Sequence, residues 1–176
     1  MATFCHNHEA MSIRLLTAAD AESWWHLRLE ALQNDSASFA DSAEEHQSKS
    51  IDFARERLSG DPAENFVFGY FENGDLCATA GFYRQSHLKE RHKGTIWGVY
   101  VRPQSRGKGV ARELMQQIIQ RARKIEGLEQ ILLIASAHLP ARKLYEGLGF
   151  QAYGIEPRSL KIGTEYVDDV LMILRL

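Results

Sequence analysis

Gln104, Gly107 and Gly109 belong to the run Gln104-Ser105-Arg106-Gly107-Lys108-Gly109, set between an apolar segment at 96–101 and a helical pattern at 110–124. A glycine-rich turn leading from strand into helix suits an anion. First-turn N–H groups have no intrahelical partner and lie at the positive end of the helix dipole. Glycine at 107 and 109 removes side chains that would block a phosphate from those donors, which run from Arg106 through Val110 and Ala111. Arg106, Lys108 and Arg112 are basic residues at the end of the dipole that disfavours cations, a placement that makes sense when an anion neutralises them.

The elements that must hold this turn follow from periodicity. A short strand is expected over 12–16. Thr17 and Asp20 then mark a helix start, and Trp24, Leu27, Ala31 with Trp25, Leu29, Leu32 form an apolar stripe reaching about Gln33. Ser42 and Glu45 read as the cap of one further helix ending near Leu58. Segments 66–71 and 76–84 are strand-like and are joined through Asn73-Gly74, a hairpin signal. A third strand over 94–101 makes three antiparallel neighbours. After the turn comes the helix of 110–124, then the continuous apolar run 131–135. That run predicts a buried strand parallel to the one before the helix, through a right-handed crossover. Pro140 opens a short helix closed by Gly147 and Gly149, and strands near 150–155 and 166–174 complete the chain around Pro157 and Gly163.

Bulk properties narrow the function. The chain has 176 residues with 21 basic against 23 acidic side chains, net charge -2, and no composition break, so one domain from residue 12 to 176 behind a flexible 1–11 tail is expected. No strong field favours nucleic acid, and no run is long enough for a membrane span. Cys5 and Cys77 form no disulfide framework, and Cys5, His6 and His8 have no second cluster to complete a metal shell, so no metal is expected. A cytoplasmic protein is the expectation. A dinucleotide fold fails because Arg112 replaces the third glycine and antiparallel strands precede the turn.

With these elements in order, the chain resembles the GCN5-related N-acetyltransferases, the GNAT superfamily. The family's Gln/Arg-x-x-G-x-G/A turn matches Gln104, Gly107 and Gly109. A second signature matches Ala141-Arg-Lys-Leu-Tyr145-Glu-Gly-Leu-Gly149-Phe150. The resemblance implies an α/β fold of α+β type, a central mixed and mostly antiparallel sheet of about seven strands with about four flanking helices. It implies acetyl-CoA as cosubstrate, with the pyrophosphate on Gln104, Arg106, Gly107, Lys108, Gly109, Val110, Ala111 and Arg112. The pantetheine arm would pair with the backbone of Val99, Tyr100 and Val101, near Ala141. The family often has Asn where this chain has His138, so His138 stands at that cofactor contact.

The resemblance further implies direct acetyl transfer to a primary amine of a small molecule in a ternary complex. Tyr145 takes the position of the family's general acid, and a backbone N–H of Val99 or Tyr100 that of the oxyanion donor. The strand before the turn carries no carboxylate, and Thr95 occupies the place some relatives give to one, so Glu30, Asp35 and His138 remain unassigned as base. Trp25, Arg28, Glu30 and Phe39 are candidate acceptor-site residues, with nearby acids hinting at a cationic amine. The other readings are a peptide or protein N-acetyltransferase and a non-catalytic acyl-CoA sensor. A monomer or homodimer is expected.

Overall fold

A computed structural model describes residues 11–137 and 141–176. The strands are β1 (Met11–Leu15), β2 (Asn65–Glu72), β3 (Asp75–Arg84), β4 (Lys93–Val101), β5 (Gln130–Ser136), β6 (Gln151–Ile162) and β7 (Glu165–Arg175). The helices are α1 (Ala21–Asn34), α2 (Ala43–Gln47), α3 (Ile51–Leu58), α4 (Val110–Ala122) and α5 (Ala141–Glu146). The seven strands form a sheet in the order β1-β2-β3-β4-β5-β7-β6. Among the described residues the β4–β5 pair is parallel and the other pairs are antiparallel. The mixed, mostly antiparallel sheet agrees with the sequence reading.

Both faces of the sheet's middle are covered, and the strand period of two explains how. On β2, Phe66, Phe68 and Tyr70 turn to one face while Val67 and Phe71 turn to the other. The first face packs against Val110, Leu114, Met115, Ile118, Ile119 and Ala122, the apolar stripe of α4. The second receives Trp24, Leu27 and Ala31 of α1 with Ala54 of α3. Leu27 and Leu114 are fully buried, each stabilising the fold by roughly 1.5–3 kcal/mol. Asn73 and Gly74, with φ of 53° and 93°, make the expected tight turn between β2 and β3.

Three expectations need correction. The helix expected over 42–58 is two helices, α2 and α3. Ser42 and Glu45 do form the capping box: Glu45 N–H donates to Ser42 Oγ at 3.1 Å and Ser42 N–H to Glu45 Oε2 at 2.8 Å. Ser48 Oγ then donates to the Glu45 carbonyl at 2.7 Å, and Ser50 is extended (φ -73°, ψ 167°) as the residue before α3. Serine side chains here compete with the backbone ladder. Among the described residues the α-helices thus number five, in keeping with the expected set of about four.

Secondly, β5 is not buried on both faces. Ile131, Leu133 and Ala135 are buried, but Ile134 is 58% exposed, because the strand departs from β4 and uncovers that side. Thirdly, the strand expected to stop near Ile155 runs on through Pro157 to Ile162. A register shift between Glu156 and Leu160, with Arg158 at φ 56°, takes the proline out of regular pairing. The tail residues 1–10, with Cys5, His6 and His8, and residues His138 and Pro140 lie outside the described residues.

Candidate active site

Strands β4 and β5 pair only at Lys93↔Gln130, Gly94↔Ile131 and Thr95↔Leu132. Beyond Leu132, β5 continues to pair with β7 as far as Ser136↔Asp169, while β4 stays with β3 to Val101. The two strands splay, leaving a cleft of about 500 Å³. A bulge drives this divergence on the β4 side. Thr79 faces Tyr100 but Gly81 faces Trp97, so Ala80 opposes two residues, Gly98 and Val99. Gly98 takes φ 63°, a left-handed conformation that glycine adopts without the Cβ penalty.

The bulge also sorts the backbone groups of β4. Arg102 N–H donates to the Cys77 carbonyl on β3 at 2.9 Å. Alternation along the strand then turns Tyr100's N–H and C=O toward β3 and those of Val99 and Val101 toward the cleft. The Val101 carbonyl accepts from Arg106 Nε at 2.8 Å, in line with that direction. Of the two oxyanion-donor candidates, Val99 has the required direction. The phenol of Tyr100 points into the α1 face, donating to Glu30 Oε1 at 3.0 Å and accepting from Asn34 Nδ2 at 3.1 Å.

At one end of the cleft lies the glycine turn. Gly107 and Gly109 have φ of 77° and 83°, and a Cβ built on either meets no heavy atom within 4 Å. Open space thus lies before the first turn of α4, where the N–H groups of Val110, Ala111 and Arg112 have no helical acceptor. The turn is tied from below by a residue the sequence reading did not single out, Ser105. It is fully buried, and its Oγ donates to Glu72 Oε2 at 3.0 Å. Lys108 Nζ donates to Glu72 Oε1 at 3.1 Å, which holds the Glu72 carboxyl below its ordinary range. Glu72, at the end of β2, fell in the expected connection between two strands and gave no sequence signal of this contact.

The basic residues of the turn are differently deployed. Arg106 and Arg112 line the cleft, whereas Gln104 and Lys108 do not. Arg112 donates to the Gly147 carbonyl at 3.3 Å, joining α4 to the end of α5. On α5, Ala141, Leu144 and Tyr145 line the cleft at the three- and four-residue spacing of one helix face. Tyr145 is buried, its ring edge-on to Phe150 with centroids 6.2 Å apart. Burial pushes its phenol up to about 12.

The candidate acceptor residues separate. Phe39 lines the cleft. Arg28 is buried, its guanidinium carbon 4.5 Å from the Phe39 ring centroid, its Nη2 3.2 Å from Asp41 Oδ2. Glu30 is occupied by Tyr100 and by Arg102 Nε at 2.9 Å. Trp25 faces α2, its Nε1 donating to the Lys49 carbonyl at 3.0 Å and its ring beside His46. Of the base candidates Asp35 lines the cleft, bound to Arg106 Nη2 at 2.7 Å. Thr95 instead accepts from Gln85 Nε2 at 3.1 Å. Among the described residues, no three His, Cys, Asp or Glu side chains group as a metal site, and no helix is long and apolar enough to cross a membrane.

Gly98 and Ile134 were missed by sequence reasoning. A glycine inside a strand pattern is a bulge signal that was available; nothing in the sequence marks Ile134 as cleft-facing.

Known proteins are similar to this chain in sequence and in fold. An L-methionine sulfoximine/L-methionine sulfone acetyltransferase of Pseudomonas paraeruginosa is 32% identical over 121 residues, 68% of this chain and 64% of that protein. The chain thus spans under two thirds of that curated relative's length. An uncharacterised N-acetyltransferase, YsnE of Bacillus subtilis, is 36% identical over 96 residues, 49% of this chain and 61% of that protein. Among solved structures, yncA of Salmonella typhimurium, a putative acetyltransferase with its cofactor acetyl-CoA, superposes with TM-score 0.79 at 23% identity, covering 94% of each chain. A GNAT-family acetyltransferase from Streptococcus pneumoniae gives TM-score 0.80 at 19% identity over 95% of this chain and all of that one. Both likenesses concern the fold. Residues 22–150, from the start of α1 through the α5 signature, match the sequence profile described as the acetyltransferase (GNAT) family, and to that family this chain belongs.

Proposed function

We propose that this protein is an N-acetyltransferase that moves an acetyl group from acetyl-CoA to a primary amine of a small molecule, by direct transfer in a ternary complex. One observation carries the reading: the splay of β4 from β5 makes a slot that begins at the glycine turn and passes Tyr145. Its donors suit the parts of acetyl-CoA in sequence. The first-turn N–H groups of α4, with Gly107 and Gly109 leaving room, suit the pyrophosphate. The cleft-facing backbone of Val99 and Val101 suits the amides of the pantetheine arm, laid alongside β4 as an added strand. The seven-stranded sheet reaching from Met11 to Arg175 supports treating 12–176 as one acetyltransferase domain.

The chemistry is then a single displacement. The amine nitrogen attacks the thioester carbonyl, whose oxygen gains charge beside the Val99 N–H. The C–S bond breaks, the sulphur leaves with the electron pair, and the proton lost by nitrogen balances the one the sulphur gains. Tyr145, held protonated by burial, is a standing donor to that sulphur. An alkanethiol titrates near 8.5, so complete transfer from a phenol at about 12 is uphill by roughly 5 kcal/mol. A hydrogen bond to the developing thiolate is therefore its main contribution. The cleft-lining phenol argues against a sensor that only binds. That a relative acts on methionine sulfoximine and sulfone supports a small amino-acid-like acceptor.

Calorimetry with acetyl-CoA, beside a thiol-release assay over amines, amino acids and short peptides, tests the reading. Binding with release on at least one small amine is expected. Binding without release on any acceptor would favour the sensor, and no binding would remove the slot's assignment.

A further inference from the structure

Most of the acids that hinted at a cationic acceptor are engaged within the protein, the exposed Glu44 excepted. Asp35 is bound to Arg106, Glu30 to Arg102 and Tyr100, and Glu45 to the start of α2. Asp41 is shared between Arg28 Nη2 at 3.2 Å and Lys49 Nζ at 4.0 Å. What is left over near the bulge is positive charge. The Arg57 guanidinium lies 4.2 Å from the Trp97 ring centroid and has no ion-pair partner among the described residues. Arg28, with a side chain only 10% exposed, has its Nη1 buried and without a hydrogen-bond partner among the described residues.

That unpartnered edge has a direction. Nη1 lies 3.8 Å from where a Cβ on Gly98 would sit. Gly98, Trp97 and Phe39 all line the cleft, and the guanidinium is stacked over Phe39. The missing side chain at residue 98 therefore leaves the guanidinium edge one atomic layer from the cleft. A buried donor left unpaired is unfavourable, and a charged one more so. A carboxylate is the complementary group, since its two oxygens can take both N–H donors of a guanidinium edge.

We propose that the acceptor is an α-amino acid whose carboxylate is anchored by Arg28 at the Gly98 bulge, with Arg57 adding to the local positive field. This rests on the acetyltransferase reading and names its substrate class. The placement is consistent with the transfer geometry. Val99, whose N–H faces the cleft, is the residue next to Gly98, and an α-amino acid separates its amine from its carboxylate by one carbon. A carboxylate beside residue 98 thus brings the nitrogen toward a carbonyl held at residue 99. The carboxylate would also satisfy Nη1, which Asp41 does not reach.

The test compares kcat/KM for thiol release with L-amino acids and L-methionine sulfone, each beside its methyl ester and its decarboxylated amine, on the full chain. The free carboxylates should be favoured by about 100-fold or more, the discrimination of a site built around a hydrogen-bonding group. Arg28→Gln should raise KM for the preferred amino acid at least about 30-fold, narrow its advantage over the ester, and leave the acetyl-CoA Kd within about 2-fold. Arg28→Lys should recover part of the loss. Esters or decarboxylated amines reacting as well as the free acids would overturn the proposal, as would acetyl-CoA binding with no amino acid acetylated. Should Arg28→Gln fail to fold, the wild-type ratio of acid to ester still decides. Loss of the acetyltransferase reading is distinguishable, because it would show as no acetyl-CoA binding by the wild-type protein.

Discussion

Arg106 reaches from the glycine turn to Asp35, at the end of α1, with Nη2 to Oδ2 at 2.7 Å, while its Nε donates to the Val101 carbonyl at 2.8 Å. The guanidinium therefore spans the cleft rim and takes up a carbonyl that a strand-like cofactor arm would use. Binding in that manner requires Arg106 to leave Val101.

Asp35→Asn should consequently ease acetyl-CoA entry. The pair is partly exposed, with side chains 46% and 33% accessible, and such pairs contribute about 0–1 kcal/mol. Acetyl-CoA affinity should improve by about 2–5-fold with thermal stability nearly unchanged. Weaker binding by calorimetry would mean that Asp35 positions Arg106 for the ligand instead of restraining it.

Gly109→Asp should abolish acetyl-CoA binding while costing the unliganded protein little beyond backbone strain. No heavy atom lies within 4 Å of its built Cβ, and its φ is 83°. The strain is about 1–2 kcal/mol for an L-residue in the left-handed region. A urea titration alongside calorimetry separates the two effects. Unchanged affinity would refute the phosphate site.

Gly98→Val tests the bulge. The nearest atom to a Cβ there is Arg28 Nη1 at an ordinary 3.8 Å, so the penalty comes from φ 63° and not from a clash. Stability should fall by about 1–2 kcal/mol, and a β-branched residue should favour regular pairing that removes Val99 from its cleft-facing register. Turnover should then drop more than about 10-fold at saturating cosubstrate. Retained turnover would show that the bulge is dispensable.

Tyr145→Phe should reduce kcat by about 100-fold while leaving acetyl-CoA affinity within about 2-fold. The phenol is raised to about 12 from its unfolded value of 10 by burial. The folded state thus holds its proton more tightly. Stability from this group is present below pH 10 and is lost as pH rises from 10 through about 12. Wild-type thermal stability should decline across that window more steeply than that of Tyr145→Phe, and the rate should show no alkaline fall from Tyr145 ionisation below pH 10.

His46 supplies an acid limit. It is buried between α1 and α2 with Nε2 3.0 Å from the Trp25 carbonyl, and desolvation lowers its pKa. The unfolded state, titrating near 6.5, takes up the proton first. Stability from neutral His46 is thus present above about pH 6.5 and is lost as pH falls from there toward the lower folded value. His46→Gln, which retains a donor for the Trp25 carbonyl, should flatten the melting temperature between pH 7 and 5. Equal slopes in both proteins would remove His46 as the cause.

Local chemistry made much of this protein legible. Asn73-Gly74 specified its turn because few other residue pairs accept two positive φ values, and Ser42 with Glu45 specified a helix start through reciprocal hydrogen bonds. The spacing of Gln104, Gly107 and Gly109 before an amphipathic helix, with the Tyr145 segment after it, pointed to the family and to the end of the cleft proposed for the pyrophosphate. These are interactions within a few residues of chain, so their signature is written consecutively.

The tertiary structure decided what depends on residues distant in sequence. Whether β4 and β5 stay paired is settled by a bulge against β3 and by β5 holding to β7, neither of which a single strand's pattern reveals. The turn rests on Ser105 and Lys108 meeting Glu72, more than thirty residues earlier. Acids between 30 and 45 looked alike in sequence, yet folding gives most of them a cationic or backbone partner and leaves the Nη1 edge of Arg28 without one. Charge in a sequence can be counted, but which charges remain unneutralised is set by contacts that only the folded chain creates.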